Sequence, residues 1–104
     1  MRFVIWRGAV VIHLFGFQWK PGLTDEAKAR VAKEIRALQG EIPGLLETHV
    51  GVNFSPRSLG YAFGGVMNFV DRAALEAYQS HPAHRKLLEW LMPLIEAVEL
   101  DFEG

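Results

Sequence analysis

One short segment, residues 71–84, places a tyrosine and two histidines close together. It reads DRAALEAYQSHPAH and contains Tyr78, His81 and His84. A histidine accepts or donates a proton near neutral pH, and a tyrosine hydroxyl donates a hydrogen bond to a carbonyl oxygen or an oxyanion. These side chains lie within about two helical turns of one another. The segment therefore favours acid–base chemistry that needs no cofactor.

Pro82, between the two histidines, predicts different roles for them. Proline is favoured at the first position of a helix, so we expect a helix to begin at Pro82, with His81 as its cap. His84 then occupies the third position, where the positive end of the helix dipole disfavours a charged imidazole. We therefore expect a neutral His84 that acts as a general base, and Tyr78 as its hydrogen-bonding partner.

A purely structural interpretation of the same residues stays open. His81 and Pro82 could serve only to start the helix, and His84 could bond a backbone carbonyl. Tyr78 could be a core residue whose hydroxyl reaches water. The segment alone therefore does not decide between a catalytic and a structural role.

A metal site at His81 and His84 lacks a third ligand. A catalytic metal normally needs three protein ligands, and no neighbouring residue supplies one. Only distant side chains, such as His49, Glu89 or Asp101, could complete the set if the fold brought them near. We therefore predict no metal at this segment.

The first predicted strand, residues 10–20, is apolar on both of its faces. Its β-branched and aromatic residues favour a strand, and Pro21 and Gly22 end it. With a period of two, one face carries Val11, His13, Phe15, Phe17 and Trp19, and the other carries Val10, Ile12, Leu14 and Gly16. A strand that is polar on neither face must be covered on both sides.

The remaining elements complete a β-α-β-β-α-β order. We predict a helix from Thr24 or Asp25 to about Gln39, strands at residues 45–53 and 61–69, a short helix capped by Asp71, a second helix from Pro82 to about Leu91, and a last strand at residues 95–102. This order predicts an α+β, ferredoxin-like fold with a four-stranded antiparallel sheet and helices on one face. Residues 1–104 form one domain, with residues 1–9 as an N-terminal extension.

The uncovered face of such a sheet predicts a homodimer. Helices cover only one side, yet the first and third strands are apolar on both. The same face of a second copy is the simplest cover, and it suits two-fold symmetry. We therefore expect two copies to associate through their open sheet faces.

His13 is the other histidine with a candidate role. It lies among Phe15 and Phe17, where a hydrogen-bonded core histidine is the ordinary interpretation. If that face lines a cavity under the helices, these three residues become its wall, and with His81 and Trp90 they are our candidate ligand-binding residues. If bulky side chains such as Met67 and Trp90 instead fill the cavity, the catalytic interpretation fails.

Composition excludes several classes of function. The formal net charge is −1 and no basic cluster is present, so we expect no nucleic-acid partner. The chain has no cysteine, which excludes disulfide scaffolds, thiolate nucleophiles and iron–sulfur clusters, and fits a reducing cytoplasm. The apolar run at residues 1–19 is interrupted by Arg2, Arg7, His13 and Gln18, so we expect neither a signal peptide nor a membrane segment.

Four motifs resemble the stress-responsive A/B barrel domain proteins of the dimeric α+β barrel superfamily. They are the strand histidine in VIHLFGFQWK, the IPG turn at residues 42–44, GVNFS at residues 51–55, and the specific pattern D-x-x-x-L-x-x-Y-x-x-H-P-x-H at residues 71–84. The resemblance covers residues 10–102. It implies a homodimer in which two sheets close into a barrel.

The resemblance also implies roles for individual residues. One member type, the plant olivetolic acid cyclase, is a cofactor-independent polyketide cyclase whose motif tyrosine and second histidine catalyse an aldol condensation. These residues match Tyr78 and His84 here, and its pocket-lining strand histidine matches His13. Two departures are the long segment at residues 1–9 and the replacement of frequent family lysines by Gly16 and Gln18.

Two functions follow as expectations. The first is a cytoplasmic homodimer that binds a small hydrophobic or aromatic ligand, with Tyr78 and His84 as a possible cyclase-like or lyase-like site and no cofactor. The second is a non-enzymatic, stress-responsive structural protein whose role is the stable dimer. The superfamily's monooxygenases and haem-handling enzymes are a third option, which the tyrosine–histidine motif disfavours.

Overall fold

The sheet and its helices follow the predicted order. A computed structural model of the chain describes residues 10–104, so the predicted N-terminal extension, residues 1–9, lies outside the described residues. The elements are β1 (Val11–Trp19), α1 (Asp25–Ala37), β2 (Leu45–Val52), β3 (Phe63–Phe69), α2 (Arg72–Ser80), α3 (Pro82–Leu91) and β4 (Ile95–Glu103), with short 3-10 turns at Leu38–Gly40 and Met92–Leu94. The strands form one antiparallel sheet in the order β2-β3-β1-β4. The predicted ferredoxin-like fold is confirmed.

Side chains at the predicted positions start the helices. The Thr24 hydroxyl accepts a hydrogen bond from the backbone N–H of Ala27 at 3.1 Å, and the Asp71 carboxylate accepts one from Ala74 at 2.8 Å. Each cap satisfies a backbone donor that the first helical turn leaves free. No helix of the described residues is long and apolar enough to cross a membrane.

The two faces of β1 are buried to different degrees. Val11, His13, Phe15 and Phe17 face the helices and are buried, whereas the alternate residues of β1 are half-buried on the opposite face. On that open face, β4 adds Val98, Leu100 and Phe102, of which 41, 60 and 47 % is exposed. The sheet is therefore apolar on both faces, and the helices cover only one.

Tyr61 corrects one predicted strand boundary. The prediction began the third strand at this residue and placed its side chain with Phe63. In the structure β3 begins at Phe63, because the N–H of Tyr61 donates to the carbonyl of Ser58 in a turn and not to a neighbouring strand. The Tyr61 ring lies beside Gly16 on the open face, 3.4 Å from where a Cβ at residue 16 would stand. Other element ends differ from the prediction by one or two residues.

The absence of a side chain at Gly65 leaves room for the Phe15 ring under the helices. A methyl group at Gly65 would overlap the Phe15 ring and would lie 2.7 Å from Cγ1 of Val50. The Phe15 ring cannot move freely, because it stacks on Phe17 with ring centroids 5.3 Å apart. A side chain at residue 65 would therefore displace part of the core.

We expect Gly65→Ala to lower the free energy of unfolding by about 1–3 kcal/mol through overpacking. Urea denaturation followed by circular dichroism measures this change. Gly40→Ala is the matched control, since a methyl group there meets no atom within 4 Å. Equal stability of the two variants would contradict this account of Gly65.

Candidate functional site

Tyr78 and His84 come together because the helical segment is interrupted between them. Tyr78 lies near the end of α2, and His84 lies in the first turn of α3. His81 joins the helices in an extended conformation, and its ring nitrogen Nδ1 accepts a hydrogen bond from the N–H of Ala83 at 3.1 Å. The ring centroids of Tyr78 and His84 are 4.1 Å apart. The predicted pair therefore forms, and His81 is the cap of α3 as expected.

The surroundings of His84 favour a neutral ring with one free acceptor. Its Nδ1 lies 3.2 Å from the carbonyl oxygen of Gln79, which can only accept, so Nδ1 carries the proton and Nε2 keeps its lone pair. Burial is the largest cause that lowers the pKa of His84, while the Gln79 carbonyl and the Glu99 charge act in the opposite direction. The lowered pKa agrees with the expected neutral ring. Its main cause is burial, whereas the sequence had suggested the helix dipole.

Tyr78 is held in its protonated form. Only 5 % of the residue is exposed. Burial raises the pKa of Tyr78 well above its ordinary value, and the negative charge of Glu99 raises it further. At neutral pH the side chain is therefore a hydroxyl that can donate a hydrogen bond.

A cavity of about 40 Å³ opens beside this pair. Its polar wall consists of His13, Tyr78, His84 and Glu99, and its apolar wall includes Phe15 and Phe17. One water needs roughly 10–15 Å³ of such space, so the cavity holds a few waters or a small ligand. The structure therefore brings five of the predicted site residues to one small cavity.

His13 is both hydrogen-bonded and part of the cavity wall. Its Nδ1–H donates to the carboxylate of Asp101, and its Nε2 lies 3.9 Å from Oε1 of Glu99. Its ring centroid is 6.1 Å from that of Tyr78. His13 is therefore a hydrogen-bonded core histidine and also part of the cavity wall, so the two predicted alternatives do not exclude each other. Asp101 fixes which nitrogen of His13 faces the cavity.

Trp90 and His81, predicted with the ligand-binding residues, do not line this cavity. Trp90 faces α1: its indole N–H donates to Glu34 at 3.2 Å, and the Arg30 guanidinium lies 3.9 Å from its ring centroid. His81 borders a separate groove of about 550 Å³ between α1 and α3. The sequence placed both residues with the cavity because local patterns do not give the direction in which each helix faces the sheet. Neither Met67, which is fully buried in β3, nor Trp90 is among the residues that line the cavity.

Glu99 and Asp101 were not predicted as site residues. They reach the site through the pairing of β1 with β4, which places Asp101 opposite His13 and Glu99 opposite Phe15. The alternation of side chains along β4 already places both carboxylates on one face of the strand. The register between β4 and β1, which brings them to His13, cannot be predicted from the residues of either strand alone. No group of three or more metal-ligating side chains is present within residues 10–104.

The lowered pKa of His84 makes stability depend on pH in a defined direction. Between this pKa and the ordinary value of about 6.5, the unfolded chain binds more protons than the folded one. The contribution of His84 to the free energy of unfolding therefore rises with pH through this window and is constant above it. We expect NMR titration of the His84 ring to give a pKa below 6.5, and His84→Gln to reduce this slope of stability against pH. A titration at or above the ordinary value would contradict the burial argument.

Comparisons with known proteins agree with this fold. Residues 11–103 match the Stress responsive A/B Barrel Domain family, Dabb. A stress-response A/B barrel domain-containing protein of Arabidopsis thaliana is 36 % identical over 59 residues, which are 56 % of this chain and 22 % of that protein. The chain thus matches about a fifth of the length of that relative.

Two solved structures share the architecture. A dimeric ferredoxin-like protein of unknown function from Thermobifida fusca has a TM-score of 0.84 and 24 % identity, covering 100 % of this chain and 99 % of its own. Hydroxynitrile lyase from Passiflora edulis has a TM-score of 0.85 and 18 % identity, covering 91 and 93 % of the two chains. At these identities the likeness concerns the fold. The family match over residues 11–103 establishes that this chain belongs to the stress-responsive A/B barrel domain family.

Proposed function

We propose that this protein is a cytoplasmic homodimer that binds a small, oxygenated, largely apolar ligand in the cavity between sheet and helices. Tyr78 and His84 serve as its acid–base groups, without a cofactor. One observation carries the proposal: the rings of Tyr78 and His84 lie with centroids 4.1 Å apart at the same cavity. Both are in the protonation state that each role requires.

The chemistry assigned to this pair is proton transfer at a carbon next to a carbonyl group, or at a hydroxyl group that becomes a carbonyl. The free Nε2 of His84 removes a proton from the ligand, and the Tyr78 hydroxyl donates a hydrogen bond to the oxygen on which negative charge develops. The Nε2 of His13, whose ring is held by Asp101, supplies a further polar contact in the cavity. Phe15 and Phe17 surround the carbon skeleton of the ligand and limit the access of water.

The small volume of the cavity favours a small substrate. The Passiflora edulis protein with this fold is named a hydroxynitrile lyase, which suggests a lyase reaction to test. In acetone cyanohydrin, removal of the hydroxyl proton by His84 would let the bond between the central carbon and the nitrile carbon break. Acetone forms, cyanide leaves with the bonding electrons, and the proton passes from His84 to cyanide. This reaction needs no other reactant.

We expect the wild-type protein to release cyanide from acetone cyanohydrin faster than buffer alone. His84→Gln should lower the rate by about 10²–10⁴-fold, as expected for loss of a general base, and Tyr78→Phe by about 10²-fold or more. His49→Gln is the matched control, because His49 is exposed on β2 and pairs with Glu47. Binding of acetone, measured by NMR, gives a second readout. The proposal fails if the wild type neither binds nor reacts, or if His84→Gln behaves like His49→Gln.

A second candidate function is structural, and the open sheet face favours it. In this alternative the function of the protein is to form a stable dimer, and the small cavity is only a feature of the core. The Thermobifida fusca structure with this fold is described as dimeric. The exposed side chains of Val98, Leu100 and Phe102 supply the apolar surface that two copies would bury. Both candidate functions use this dimer, so its interface is tested separately.

We expect Val98→Glu to shift the protein from dimer to monomer, because it places a charge in the apolar surface that the second copy covers. Light scattering after size-exclusion chromatography at micromolar concentration measures the mass. Val52→Glu is the matched control: Val52 is 80 % exposed but lies on the helix-facing side of the sheet. A monomeric wild type, or equal dissociation of both variants, would contradict an interface through the open face.

A further inference from the structure

Glu99 lies on a solvent-exposed edge of the cavity. It is one of the cavity-lining residues, yet 60 % of its side chain is exposed to solvent. The pairing of β4 with β1 places it opposite Phe15, and its Oε1 is 3.9 Å from Nε2 of His13. A ligand bound beside Tyr78 and His84 in this cavity therefore lies close to this carboxylate.

No lysine or arginine side chain at the cavity balances this charge. Among the cavity-lining residues, all of which the structure describes, there is no lysine or arginine. The next acidic residues on the same face of β4 add negative charge, and both already have partners. Asp101 accepts from His13, and Glu103 pairs with Arg72 at 2.5 Å. This edge of the cavity is therefore rich in carboxylates, although the chain as a whole carries a formal charge of only −1.

The charge of Glu99 reaches the acid–base pair. It raises the pKa of Tyr78 and opposes the lowering of the pKa of His84. Because the carboxylate acts on both rings, a charged ligand bound beside them in the cavity experiences the same charge. Like charges a few ångströms apart repel measurably even where solvent partly screens them.

We propose, building on the ligand site proposed above, that Glu99 makes the cavity selective for uncharged or amine-bearing small molecules and excludes carboxylates of the same shape. The natural ligand is then a small neutral carbonyl compound, or one with an amino group that faces Glu99, and not a carboxylic acid. Glu99 is a specificity-determining residue in this proposal. Proton transfer remains with Tyr78 and His84.

Three probes with one carbon skeleton test the selectivity. Isobutyramide and isobutyrate differ mainly in charge, and isobutylamine carries a positive charge and has no carbonyl oxygen. Binding to the wild type is measured by NMR titration above neutral pH, where His84 is neutral. We expect isobutyrate to bind about five- to tenfold more weakly than isobutyramide, the size expected for a partly screened like-charge contact. Isobutylamine should bind at least as tightly as isobutyramide. In Glu99→Gln, isobutyrate and isobutyramide should bind within about twofold of each other.

Glu96→Gln is the matched control. Glu96 lies on the same strand but on the opposite face of the sheet, where it pairs with Lys20 at 3.8 Å. The substitution changes the net charge by the same amount as Glu99→Gln, so it separates a local effect from a global one. Glu96→Gln should keep the wild-type selectivity.

The results distinguish this inference from the proposed function. If isobutyramide binds and His84→Gln weakens it, while isobutyrate binds equally well to the wild type and Glu99→Gln, the ligand site stands and the selectivity is overturned. If no probe binds to any variant, both proposals are overturned.

A measurement without ligand tests the same charge. Glu99→Gln should lower the pKa of His84 further, whereas Glu96→Gln should leave it unchanged. The other groups that act on His84, namely His13, His81 and the Gln79 carbonyl, are the same in both variants. An identical His84 titration in the two variants would show that Glu99 does not act on the site, and would overturn the inference.

Discussion

The break in the helix at Pro82 is the constraint on which the site depends. Tyr78 and His84 are six residues apart, which on a continuous helix would place them about 9 Å apart along the axis and about 120° apart around it. Their ring centroids are instead 4.1 Å apart. The residue before a proline avoids the helical conformation, and His81 accordingly adopts φ −64° and ψ 137°. The chain turns there, and the two rings meet.

The hydrogen bond between His13 and Asp101 serves the sheet and the site together. His13 is the one buried polar or charged residue of the described chain, and without a partner its ring would destabilise the core. Asp101 supplies that partner from β4, so the bond joins two adjacent strands and also orients the ring. It leaves Nε2 directed toward Glu99 and the cavity.

The features that local patterns predict are those that depend on neighbouring residues. A few adjacent side chains are enough to predict the caps at Thr24 and Asp71, the helix start at Pro82 and the two apolar faces of β1. The helix break at Pro82 in turn predicts that Tyr78 and His84 meet. The features that were missed depend on how distant elements meet. Glu99 and Asp101 join the site only through the register between β1 and β4, and Trp90 turns away because α3 also packs on α1.

The last strand, β4, carries two unrelated sets of side chains on alternating residues. Glu99 and Asp101 face the site, while Val98, Leu100 and Phe102 face the open side of the sheet. In the described sheet β4 is an edge strand that pairs only with β1. A one-residue insertion or deletion near its start would move every side chain to the opposite face. Carboxylates would then enter the open apolar surface, and valine and leucine would enter the site. Evolution can therefore alter this strand by substitution far more readily than by a change in its length.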